Sequence, residues 1–77
     1  MADLGPSSTR ADNEPLHHVR KMSARIDEII EHLRDDAARV DEPRFQAMFE
    51  TAAEVLVGVA VAFRSYERRE TAARGPR

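Results

Sequence analysis

The sequence contains no cysteine, which excludes disulfide staples and thiolate-held zinc or iron–sulfur centres and fits a reducing cytoplasm. Tryptophan is absent too, and the aromatic residues are Phe45, Phe49, Phe63 and Tyr66, all in the second half of the chain. That concentration marks where the apolar core is expected. No sign of charge dominates: 12 Lys+Arg stand against 14 Asp+Glu, a net charge of −2. Without a global positive field to draw the chain onto nucleic acid or anionic lipid, no nucleic-acid partner is expected. The longest unbroken apolar run, Val55 to Phe63, falls far short of the roughly 20 residues a membrane-crossing helix needs, so no membrane span is expected. Asp3 stands near the start with no apolar stretch after it, which lacks the basic-then-apolar plan of a secretory signal, and the expected localisation is cytoplasmic.

At 77 residues the chain makes one domain at most, and a core of that size is marginal without a staple. With disulfides excluded, a metal or self-association remains. Glycine and proline together occupy only seven positions among 34 % charged residues, a balance that lets amphipathic helices run uninterrupted. Residues 1–12, with Gly5, Pro6, Ser7, Ser8 and Thr9, and residues 71–77, with Gly75 and Pro76, hold too little apolar surface to offset the entropy of ordering them and are expected to be disordered tails.

The spacing between those ends predicts an all-α fold, an antiparallel two-helix hairpin over residues 13–70. Asp12 or Asn13 is the expected cap of a first helix over about 14–40, with Glu14 and Pro15 in its first turn. Its apolar positions, Leu16, Val19, Met22, Ile26, Ile29, Ile30, Leu33, Ala37 and Val40, recur at the helical period. The break falls at Asp41-Glu42-Pro43, where proline cannot continue one helix but fits the start of the next, with Asp41 as its cap. A second helix over about 43–70 follows, antiparallel because the connection is so short. Phe45, Phe49, Ala52, Leu56, Val59, Phe63 and Tyr66 step four, three, four, three, four, three along it, a heptad seam.

Apolar residues also spread beyond that seam. Val55, Val57 and Val61 would stay in water in a lone hairpin, each forfeiting roughly 1.5 kcal/mol or more relative to burial. The expectation is therefore a homodimer, two hairpins closing into a four-helix bundle. Its interface is expected to draw on Phe45, Phe49, Val55, Leu56, Val57, Val59, Val61, Phe63 and Tyr66.

No catalytic residue emerges: no serine or threonine stands beside a base in a nucleophilic arrangement. Arg64, Arg68, Arg69, Arg74 and Arg77 complement the dipole at a helix C-terminus, and Tyr66 alone among them does not make the set of stacking aromatics a nucleic-acid binder carries. The one constellation with chemistry in it joins His32, with Glu28 one turn before, to Glu50 and Glu54 at about the same height on the second helix. Carboxylates with imidazole on facing helices hold iron, manganese or zinc in bundle proteins, but Glu50 and Glu54 point away from the seam, so only a dimer mate brings them to such a cluster. Function is thus read first as a small non-enzymatic interaction module or accessory subunit, pairing with itself and docking a larger protein, with no cofactor. The alternative is a divalent transition-metal site built from Glu28, His32, Glu50 and Glu54 across the oligomer.

Overall fold

The computed structural model describes residues 14–74; the expected tail over 1–12 and the caps Asp12 and Asn13 lie outside them. Two helices account for nearly all of the described residues, α1 over Pro15–Arg39 and α2 over Pro43–Ala73. Proline stands at the start of each, where its fixed φ suits the first turn and its missing N–H removes no helical bond. Glu14 precedes α1 in an extended conformation without capping through its side chain. Glu42, not the expected Asp41, caps α2: its carboxylate accepts from the Phe45 N–H at 2.7 Å. At that position the carboxylate reaches the N–H of the third residue of the helix, which has no carbonyl partner of its own. α2 also continues through Thr71, Ala72 and Ala73, residues expected to begin the tail, and Arg74 closes it by donating its N–H to the Glu70 carbonyl at 3.1 Å.

The turn is short. The Val40 N–H donates to the Asp36 carbonyl and the Glu42 N–H to the Val40 carbonyl, both at 3.0 Å, and Gln46 Nε2 reaches across to the Ala37 carbonyl at 3.0 Å. The helices therefore run antiparallel, as the ion pair joining Arg20 near the start of α1 to Glu67 near the end of α2 shows.

The buried residues of α1 include Leu16, Ser23, Ile30 and Ala37, each seven after the last, with Ile26 beside them. They meet Ala53 and Ala60, the two buried residues of α2. Leu33, Leu56, Val57, Val59 and Phe63 pack around the cluster of Ile26, Ile30, Ala53 and Ala60. The seam of α2 is thus Phe49-Ala53-Leu56-Ala60-Phe63. It shares its large members with the expected seam but takes Ala53 and Ala60 where Ala52 and Val59 were expected, and in α1 Ser23 is buried while Met22 is 43 % exposed. Small side chains win these places because only they let two helix backbones approach closely. The hydroxyl of Ser23 finds no hydrogen-bond partner among the described residues.

Ala53 and Ala60 have no exposed surface, but no large side chain among the described residues is completely buried. Gly58, in the middle of α2, is exposed, and a Cβ added there would meet nothing within 4 Å. Packing within the hairpin gives no reason for a glycine at that point.

Candidate interaction face

Residues seven apart in a packed helix share a face, and each step of three or four moves by about 50°. On that basis the hairpin has two long sides, one on each flank of its seam. On the first, α1 presents Met22, Ile29, Asp36 and, at the turn, Val40; α2 presents Phe45, Met48, Ala52, Val55, Val59, Ala62 and Tyr66. The α2 residues again step three and four, so α2 carries a second heptad seam beside the one it uses against α1. A groove of about 260 Å³ lined by Val19, Ala62, Phe63 and Tyr66 runs between the helices on this side. Phe45 stacks on Phe49 with ring centroids 4.0 Å apart, which ties the second seam to the first.

Exposure is what sets this side apart. Met22 is 43 % exposed, Ile29 48 %, Val40 39 %, Met48 58 % and Val55 62 %. Of the six large apolar residues exposed among the described residues, only Val61 lies elsewhere.

The opposite side is charged. Arg20 Nε meets Glu67 Oε2 at 2.9 Å, and Arg64 meets Asp27 at 3.3 Å. Arg34 and Ala38 share a groove with Glu50 and Glu54. Val61 stands one heptad after Glu54 and one before Arg68 on this side, and Val57, beside it, is half-buried against the core cluster. At the open end Glu14 pairs with Arg74. That hydrogen bond holds the Glu14 carboxyl below its ordinary pKa and raises the Arg74 guanidinium.

No family model, curated protein or solved structure matches the chain. Its chemistry is therefore read from its own geometry.

The residues expected to form an interface separate into three groups. Phe49, Leu56 and Phe63 are half-buried along the α1 seam, and Val57 packs on the core from the charged side. Val61 is exposed on the charged side. Phe45, Val55, Val59 and Tyr66 stand together on the apolar side, Val59 also touching the core cluster. Met22, Ile29, Met48 and Ala62 share that side and are exposed, although the expected interface did not include them. The signal that finds them is the second heptad phase of α2, which Met48, Val55 and Ala62 keep without interruption.

The metal candidates do not converge within one hairpin. Glu50 and Glu54 sit beside Arg34. Glu28 lines a separate groove with Ala24, Arg25, Asp27 and Glu31, and His32 is exposed on the outer side of α1. His17 and His18 meet edge to face, 5.5 Å between ring centroids, far along the helix from His32. Among the described residues no three metal-ligating side chains gather.

α2 departs from the sequence expectation in one further respect. Its 31 residues include an 18-residue window of mean hydropathy 1.4 with no more than two charged residues. By length and composition that meets the requirement for crossing a membrane. Unbroken apolar runs miss it because Glu50 and Glu54 interrupt the pattern.

Proposed function

We propose that the protein is a small helical interaction module that pairs with a second copy through the apolar side of the hairpin, closing a four-helix bundle that presents its charged sides and ends to a larger partner. The observation that carries this reading is the imbalance of burial: five large apolar side chains are exposed on one side of a hairpin that completely buries none. Covering them regains roughly 25 cal/mol for each Å² of apolar surface removed from water, a substantial addition for a domain too small to hold a large core of its own. Sedimentation equilibrium tests it: the expected species at tens of micromolar is a dimer, and a monomer there rejects the reading.

The hydropathy window of α2 favours a second reading, in which the same face lies against lipid. Energetics weigh against spanning. Large apolar residues contribute roughly 0.3–0.6 kcal/mol each to insertion, whereas an acidic side chain at the centre costs about 2.5–3.5, and Glu50 and Glu54 stand among the window's apolar residues. Flotation with phosphatidylcholine vesicles separates the readings: a dimer left behind in the aqueous fraction supports self-pairing, and a monomer carried up with the vesicles supports lipid.

A further inference from the structure

Building on the self-pairing reading, we infer that the two copies stack apolar side to apolar side with opposite polarity, the turn of one lying over the open end of the other, about a two-fold axis crossing α2 near Val55. Two hairpins laid face to face have two symmetric choices. With turns at the same end, α2 lies over the partner's α1; with turns at opposite ends, α2 lies over the partner's α2.

Charge selects between them. The turn half of the hairpin on this axis, residues 32–54, holds six carboxylates against three arginines, a net of −3. The open half, residues 14–30 and 56–74, holds seven Lys and Arg against five carboxylates, a net of +2. Turns at the same end bring −3 onto −3. Turns at opposite ends bring −3 onto +2 twice over, and such complementarity both steers encounter and penalises the wrong arrangement.

Side-chain size selects the same arrangement. With α2 reversed on α2 about Val55, Met48 falls opposite Ala62, so large meets small there, and Ala52 falls opposite Gly58, where both are small. Phe45 and Tyr66 lie toward opposite ends of the seam and approach one another across it. α1 fits the same axis: Met22 and Val40 are each nine residues from Glu31. Glu31 lies at about the height of Val55, between the levels marked by Arg34 with Glu54 and by Asp27 with Arg64. Gly58, with nothing near the position of a Cβ, lies within one turn of the axis.

A chain without cysteine makes the test clean. Single variants Met48→Cys, Ala62→Cys, Val40→Cys and Val55→Cys are oxidised alone and in pairs with copper phenanthroline, and their sedimentation is measured before oxidation. The arrangement requires a covalent dimer from Val55→Cys alone, and one from the Met48→Cys and Ala62→Cys mixture at least tenfold faster than from either alone. Faster cross-linking of Met48→Cys with Val40→Cys places the turns at the same end and overturns the polarity while leaving self-pairing intact. Dimers that form no cross-link at any of these positions overturn the face, and a wild type that sediments as a monomer overturns the self-pairing reading itself.

Discussion

The two long sides of the hairpin are built on the same pair of helices, yet water satisfies one and not the other. On the charged side Arg20–Glu67 and Arg64–Asp27 bridge the helices, and each of these side chains would be equally at home separated and hydrated. Such pairs contribute little, a fraction of a kcal/mol each. On the apolar side Met22, Ile29, Met48 and Val55 have no such choice. The difference teaches where the free energy of a small helical pair can come from: ion pairs decorate the fold, and the uncovered heptad seam holds the larger unspent term.

The sharpest way to break that comparison is Val55→Glu. On a two-fold axis it brings two carboxylates together out of water, a penalty of several kcal/mol. The dimer constant is expected to weaken by about a hundredfold or more, since each 1.4 kcal/mol is tenfold, while the helical circular dichroism of the hairpin persists at high protein concentration. A double mutant of Val57 and Val61 is a poorer probe, because Val57 packs on the core and its loss is expected to weaken the hairpin itself as well as any dimer.

Next in size is Ala60→Leu. Ala60 has no exposed surface, so three added carbons force α1 and α2 apart, at about 1–3 kcal/mol. A denaturation midpoint left unchanged would show that the seam between the sides is looser than its burial implies. Ser23→Ala works in the opposite direction. Its hydroxyl is buried without a partner among the described residues, and removing it is expected to stabilise the fold by about 1 kcal/mol in chemical denaturation. A loss instead would reveal a partner for that hydroxyl in solution.

These positions also show how far the sequence could be read. Both helices, their bend near Pro43 and the large seam residues Phe49, Leu56 and Phe63 follow from periodicity alone. The choice between Ala52 and Ala53, or between Val59 and Ala60, does not, because either phase keeps a three-four rhythm with the same large residues. A search for the most apolar residue selects Val59 and Met22; close packing selects Ala60 and, at the place Met22 was given, Ser23. Once the phase moves, Met48, Val55 and Ala62 fall into a seam of their own. Asp41 and Glu42 offered neighbouring carboxylates for one cap, and only backbone geometry distinguishes them.

On the charged side the expected effect is small. Arg64→Ala should change stability by less than about 0.5 kcal/mol in a thermal melt, since both it and Asp27 are about half exposed. A larger loss would mean that this side, too, carries the fold. Smallest is the effect of acid on the open end. The Arg74 hydrogen bond lowers the Glu14 pKa in the folded chain, so its contribution is present above the ordinary carboxylate value and is lost as pH falls through the lowered one. Amide resonances of residues 70–74 should report loosening of that end at acid pH in the wild type. In Glu14→Gln the same loosening should already be present at neutral pH.

The turn between Val40 and Pro43 gives the hairpin a direction in time. Gln46 can find the Ala37 carbonyl by closing a loop of fewer than ten residues, whereas Glu14 and Arg74 must close one of sixty, and the entropy of closure grows with loop length. Pairing therefore starts beside the turn and zips outward, each rung shortening the loop left for the next. Read backwards, the same order makes the open end the first part to fray and the turn the last to let go. A partner copy arriving in reversed polarity would lay the slow-opening end of one chain over the fast-opening end of the other, so that each clamps the part of its mate that would otherwise come undone.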